Sequence, residues 1–156
     1  MASKEVVTVR TRTQIQQLLQ RLAQEKGDLR LAMLVPTELP ERWSLLVSAS
    51  WMDSLGARSV ISDLTSRLLR HVDRNSLSAI DRVSVLSGSD PFVKRIVDML
   101  SGFLGVDASS HKGGFRIHNM VVEGHDIPEA FVFVANPRAN GRPVKSSQGT
   151  QKLAAR

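Results

Sequence analysis

Apolar residues recur at helical spacing in three stretches of the chain, and at a spacing of two in five others. We predict helices over 13–26, 55–72 and 91–104, and strands over 29–35, 43–51, 82–86, 115–122 and 130–134. The resulting order is α-β-β-α-β-α-β-β. This order predicts a mixed α/β fold in which helices pack on a mixed five-stranded sheet.

Capping residues mark two of the predicted helix starts. Thr13 and Gln16 have the spacing of a capping box, and Gly27 stands where a helix commonly ends. Asp90 and Pro91 supply an N-cap and a first-turn proline for the third helix. We therefore expect the first helix to begin at Thr13.

The strand over 43–51 has the clearest alternation, with its apolar face at Trp43, Leu45, Val47, Ala49 and Trp51. Only a short loop separates it from the strand before it, so the two are expected to form a hairpin. Helices separate the second, third and fourth strands, and such crossovers normally join parallel neighbours. We expect these three strands to run parallel in the middle of the sheet, with antiparallel strands at one or both edges.

The formal net charge is +6, and it is unevenly distributed. Residues 135–156 contain five basic residues and no acidic one, whereas residues 1–134 carry 16 Lys and Arg against 15 Asp and Glu. We therefore predict a single globular domain over 1–134 followed by a flexible, basic, polar tail. The five basic residues of the tail are Arg138, Arg142, Lys145, Lys152 and Arg156.

The tail has two interpretations. It is either an electrostatic arm that binds nucleic acid or an acidic protein, or a solvated terminus that improves solubility.

The composition excludes several kinds of site and argues against a membrane protein. The chain has no cysteine, which excludes disulfides, thiolate metal sites and cysteine nucleophiles. It has no stretch near the ~20 apolar residues that span a bilayer, and residues 1–12 are polar. We expect a soluble cytoplasmic protein that contacts no membrane, and we predict no cofactor.

Three acidic residues follow the strands that we expect to be parallel. Asp53 follows the second strand, Asp90 the third and Asp126 the fourth. Because open α/β sheets bind ligands at the carboxyl edge of parallel strands, these carboxylates could hold a cation such as Mg²⁺. The alternative is that they are ordinary loop and cap residues.

Two further patterns give weaker indications of chemistry. His111, His118 and His125 are spaced by seven, and on a hairpin His118 could share a metal with His125 and Glu123, although the spacing is not that of a zinc motif. The segment 87–90 could offer amides to a phosphate, but it lacks the P-loop lysine, and its own aspartate would repel an anion.

The two tryptophans are more consistent with a core role than with ligand stacking. Trp43 begins its strand beside Arg42, so partial exposure there could make this pair a hot spot of a protein interface.

No catalytic motif, metal-ligand spacing or nucleotide loop occurs in the sequence. The leading interpretation is a non-catalytic binding or regulatory module that contacts a protein or a nucleic acid, with a basic C-terminal arm. One alternative is a small metal-assisted hydrolase or transferase that uses Asp53, Asp90, Asp126 or His125. A second alternative is a subunit of a larger assembly or an oligomer.

Overall fold

A computed structural model describes residues 7–104 and 114–136 of the chain. The elements within these ranges are α1 (Val9–Lys26), β1 (Leu31–Pro36), β2 (Trp43–Ser48), α2 (Ser50–Leu55), α3 (Ala57–His71), α4 (Arg74–Leu77), β3 (Ile80–Val85), α5 (Pro91–Leu104), β4 (Phe115–Val122) and β5 (His125–Ala135). The predicted order of helices and strands is confirmed, with the second helix divided into α2 and α3 and followed by the short α4. None of the helices in these ranges has the length and apolar character needed to cross a membrane.

The five strands form one sheet in the order β3-β2-β1-β5-β4. The predicted hairpin of β1 and β2 is confirmed, and β2 pairs in parallel with β3. The expectation of a parallel middle is wrong, because β1 pairs antiparallel with β5 and β4 pairs antiparallel with β5. The one parallel pair of the sheet therefore lies at an edge, and β4 runs opposite to β2 and β3.

The sheet separates two hydrophobic cores. On the first face, α1 and α3 cover the inner residues of β1, β2 and β5. The largest fully buried side chains of this core include Ile15, Leu19, Leu22, Leu34, Leu45, Met52, Leu64 and Phe133. On the second face, α5 packs against β1, β4 and β5 through Val93, Ile96, Val97 and Leu100. Each fully buried leucine or isoleucine contributes roughly 2 kcal/mol of burial free energy, so the two cores hold the helices on opposite faces of the sheet.

Helix α1 begins four residues earlier than predicted. The side chain of Thr8 accepts a hydrogen bond from the amide of Thr11 at 3.2 Å and is the actual N-cap. Thr13 lies inside the helix, and its hydroxyl is buried without a hydrogen-bond partner among the described residues. The predicted C-terminal cap is confirmed, because Gly27 has a φ of 133° and its amide donates to Ala23.

Strand β2 ends three residues earlier than predicted, and Trp51 belongs to α2. Its indole nitrogen donates to the carbonyl oxygens of Gly27 and Asp28 at 3.0 and 3.2 Å. These bonds tie α2 to the end of α1. Gly56, with a φ of 90°, then separates α2 from α3.

The closing hairpin is tighter than predicted. The seven-residue turn expected over 123–129 is a two-residue turn, Glu123 and Gly124, in which both φ angles are positive. Two-residue hairpin turns in which both φ angles are positive match the right-handed twist of the paired strands. Strand β5 therefore starts at His125, and His125 and Asp126 are strand residues rather than loop residues.

Candidate functional site

A groove of about 400 Å³ lies on the second face of the sheet, between the first turn of α5 and the start of β5. We call it the α5 groove. Its apolar part consists of Val35, Pro36, Leu46, Leu86, Phe92, Ile127 and Pro128, and its polar part of Ser84, Asp90, His125 and Asp126. The groove combines apolar side chains with two acidic residues and a histidine, and no lysine or arginine is among its described lining residues.

Three of the sequence-predicted site residues line the α5 groove. Asp90 accepts a hydrogen bond from the amide of Phe92 at 2.8 Å, so one of its carboxylate oxygens caps α5. The ring of Phe92 meets that of His125 edge-on, with centroids 5.9 Å apart. Asp126 is exposed on β5, and no ion pair involves it among the described residues. Of the two acidic residues, Asp90 is fixed by its cap, whereas Asp126 alternates with His125 and Ile127 on β5 and points its carboxylate away from the second face.

Asp53 does not join this set. It is exposed and accepts a hydrogen bond from the amide of Gly88 at 3.2 Å, so it contacts the loop after β3 as expected. The convergence of Asp53, Asp90 and Asp126 does not occur, because β4 runs antiparallel to β2 and β3 and its carboxyl end lies at the other edge. Within residues 7–104 and 114–136, no group of three His, Asp or Glu side chains could hold a metal ion.

Three of the four amides of segment 87–90, which follows β3, already have acceptors and are not free to bind a phosphate. The amide of Gly88 donates to Asp53, that of Ser89 to the hydroxyl of Ser87, and that of Asp90 to the carbonyl of Ser87. Each of these donors already has an acceptor within the protein. The loop connects β3 to α5, and its Asp90 caps that helix.

The predicted histidine site is also not formed. His118 pairs with Glu129, and His125 pairs with Val122, four residues further along β4. At ~3.3 Å per strand residue, this separation is about 13 Å, too far for one ion to bind both imidazoles. His111 lies outside the described residues.

Trp43 lies in the first core. Only 9% of it is exposed, and its ring packs against Phe131 with centroids 5.4 Å apart. The neighbouring Arg42 is exposed and donates to the carbonyl oxygen of Ser78 at 3.0 Å. The strand position of Trp43 turns its ring into the first core and leaves little of it exposed. The partner contact expected for Trp43 and Arg42 stays a prediction.

Positively charged residues are concentrated in three helices. We define the basic helical layer as α1 with its Thr8 cap, α3, and α4 with its Asp73 cap. It contains eight Lys and Arg against three Asp and Glu, a net charge of +5. The rest of the described chain contains six Lys and Arg against ten Asp and Glu, a net charge of −4. The described residues are nearly neutral in sum, but their charge is strongly polarised.

The three acidic residues of the basic helical layer are all engaged. Arg67 donates to Glu25 at 2.7 Å and to Asp63 at 3.1 Å, and the bond from Arg67 lowers the pKa of the Glu25 carboxyl. Asp73 accepts from the amide of Ser76 at 2.8 Å and pairs with Arg10 at 3.2 Å. The hydrogen bond from Ser76 is the main cause that lowers the pKa of Asp73. The carboxylates are thus compensated by two arginines.

The remaining exposed cations of the layer have no such partner. Within the described residues, no carboxylate lies within ion-pair distance of Arg21, Lys26, Arg58, Arg70 or Arg74. The exposed uncharged side chains of α1 and α3 are mostly hydrogen-bonding ones: Gln17, Gln20, Gln24, Ser59, Ser62, Thr65 and Ser66. Exposed arginines among amides and hydroxyls are the groups that proteins use to contact phosphates.

The net charge of residues 1–134 does not reveal this layer, because the excess of acidic residues elsewhere cancels it. A count along the predicted helices would have found only part of it, because 13–26 has two basic residues and one acidic residue, and Arg10 and Arg12 belong to α1 only through its earlier start. The predicted contacts at Arg138, Arg142, Lys145, Lys152 and Arg156 lie outside the described residues. No model of a protein family, no curated protein and no solved structure matches the chain.

Proposed function

We propose that the protein is a non-catalytic module that binds nucleic acid through its basic helical layer, with the basic tail as a second contact. The observation that carries this proposal is the charge polarisation, +5 on α1, α3 and α4 against −4 on the rest of the described chain. A concentrated positive face attracts a polyanion, and neutralising its phosphates releases condensed counterions.

The side chains of the layer support nucleic acid over an acidic protein as the partner. Arg21, Arg58 and Arg70 are separated by glutamine, serine and threonine, which donate to phosphate and sugar oxygens without adding negative charge. The exposed large apolar side chains of the layer are Val9 and Leu69, too few for the apolar centre of a stable protein interface. Recognition would rest on the phosphate backbone, so we expect little sequence preference.

The test is a salt titration of the full chain with a fluorescent duplex, read by anisotropy. We compare Arg21→Gln with Arg70→Gln in one double variant against a matched double variant of α5, Lys94→Gln with Arg95→Gln. Each pair removes two positive charges, but only the first lies in the basic helical layer. The first variant should weaken binding and reduce the slope of log K against log salt by about 2, whereas the α5 variant should retain the wild-type slope.

Equal losses in both double variants would mean that net charge, not this surface, governs binding, and would overturn the proposal. Anionic vesicles and an acidic protein serve as competing partners in the same assay, and tighter binding to either one than to the duplex also overturns it. A variant that ends at Asn136 measures the share of the tail. Light scattering on the free protein reports whether it self-associates, as the assembly alternative requires.

A further inference from the structure

The α5 groove lies on the second face of the sheet, whereas α1 and α3 of the basic helical layer cover the first face. None of the nucleic-acid contacts proposed above therefore involves it. Its floor is formed by three neighbouring strands, through Val35 of β1, Leu46 of β2 and Ser84 of β3. Leu46 is only partly buried, so the space above it is open to a ligand.

Two serine hydroxyls beside Leu46 are buried without a hydrogen-bond partner among the described residues. Ser44 is 5% exposed and Ser48 0%, and neither Oγ atom is hydrogen-bonded. Both point to the second face, because they alternate along β2 with Leu45 and Val47 of the first core. A buried hydroxyl that makes no hydrogen bond is unfavourable, so this pair calls for a partner beyond the described residues.

The rim of the groove favours a positively charged ligand. One carboxylate oxygen of Asp90 accepts from the amide of Phe92 at 2.8 Å, and no ion pair among the described residues involves Asp90. An ammonium group beside Asp90 would form a charge-assisted hydrogen bond, whereas a carboxylate or a phosphate would be repelled. The partly exposed ring of Phe92 offers an apolar surface next to this carboxylate.

We propose that the α5 groove binds a small apolar molecule that carries an ammonium group. Its volume of about 400 Å³ is at the lower end of the range of small-molecule sites. The apolar body of the ligand lies on Leu46 and Phe92, its ammonium group lies beside Asp90, and a hydrogen-bonding edge faces Ser44 and Ser48. This proposal does not rest on nucleic-acid binding.

Two probes with the same ring and side-chain length but opposite charge test the proposal on the full chain. Tryptamine carries an ammonium group, and indolepropionate carries a carboxylate. Tryptamine at millimolar concentration should shift the amide signals of Leu46, Ser84 and Phe92 in a saturable way. Indolepropionate should bind about tenfold more weakly or less, because it lacks the charge-assisted hydrogen bond.

Variants of the two acidic residues separate the groove carboxylate from its neighbour. Asp90→Asn removes the charge but keeps the cap of α5, so it should weaken tryptamine binding by about tenfold. Asp126→Asn is the matched control, since its carboxylate points away from the second face and its loss should leave the affinity unchanged. Ser44→Ala should weaken binding severalfold without lowering the urea midpoint, because its hydroxyl has no partner among the described residues.

Equal binding of the two probes, or equal affinity of Asp90→Asn and the wild type, would overturn the proposal, since the groove would then select by apolar contact alone. The absence of saturable shifts at millimolar tryptamine, or shifts confined to α1 and α3, would overturn it as well. A dispersed spectrum checks the fold of each variant. Because no nucleic acid is present, these outcomes are independent of the salt titration above.

Discussion

Arg67 connects the two long helices of the basic helical layer. Its side chain is 13% exposed, and it donates through Nη2 to Glu25 of α1 and through Nε to Asp63 of α3. The hydrogen bond to Glu25 is the main cause that raises the pKa of the Arg67 guanidinium. A single cation thus satisfies two carboxylates that would otherwise weaken the positive field of the layer.

Replacing Arg67 by methionine should destabilise the protein by about 1 kcal/mol, because the apolar stem is retained while both charged contacts are lost. The matched control is Arg70→Met on the same helix, since Arg70 is exposed and makes only a 3.4 Å bond to the carbonyl of Ser66. Urea unfolding measures both variants. Equal losses in the two would show that the bridge from Arg67 contributes nothing beyond a surface arginine.

At the scale of the element, the start of α1 shows how one capping pattern can be mistaken for another. Both Thr8 and Thr13 precede a helical stretch, and Thr13 alone has a glutamine three residues later. The structure selects Thr8, because Thr11 then bonds to Ser76 at 2.7 Å and Arg12 reaches the carbonyl of Val7 at 2.9 Å. The contact of Thr11 with Ser76 joins residues 65 positions apart, so it is not contained in any local pattern.

Thr8→Ala should therefore lower the free energy of unfolding by about 1 kcal/mol, the usual value of an N-cap. Thr13→Ala removes a buried hydroxyl that has no partner among the described residues, so it should leave stability unchanged or raise it slightly. Thermal unfolding of the two single variants measures the difference. The reverse order of stabilities would place the start of α1 at Thr13.

For the molecule as a whole, the sequence was sufficient to predict the element order, the five-stranded mixed sheet and the hairpin of β1 and β2. Alternation and helical spacing are local signals, and the positions of Ile15, Leu45 and Val97 in the cores follow from them. Strand order was not predictable in the same way. The pairing of β1 with β5 joins residues a hundred positions apart, and no short pattern specifies it.

In the candidate site, too, the residues that depend on local pattern were predictable and their spatial arrangement was not. Asp90, His125 and Asp126 were identified because each is polar beside a strand or helix end, and they do line one groove. We expected these residues to lie beside Asp53, which required β4 to run parallel to β3. Strand β4 instead runs antiparallel to β3. The basic helical layer depends on two helices that lie side by side, joined by the bond from Arg67 to Glu25. It therefore becomes visible only once the helices are packed.

The response to acid is also a property of the whole molecule, because three carboxylates with lowered pKa values join different elements. Glu25 binds α3 through Arg67, Asp73 caps α4 through Ser76, and Glu38 is held by its own backbone amide and by Arg82 of β3. A carboxyl with a lowered pKa in the folded state binds fewer protons there than in the unfolded chain. Its stabilisation is complete above the unfolded pKa of about 4 and is lost as the pH falls through the folded value.

We therefore expect the urea midpoint to fall between about pH 5 and about pH 3, and to fall less steeply in the triple variant Glu25→Gln, Glu38→Gln and Asp73→Asn. The variant has no proton to bind at these three positions, so the folded and unfolded chains no longer differ there. Asparagine keeps the cap of α4, which separates the loss of charge from the loss of the helix end. The urea midpoint of both proteins is measured at half-unit steps of pH, and the two slopes are compared. Parallel curves would mean that other groups govern the acid response.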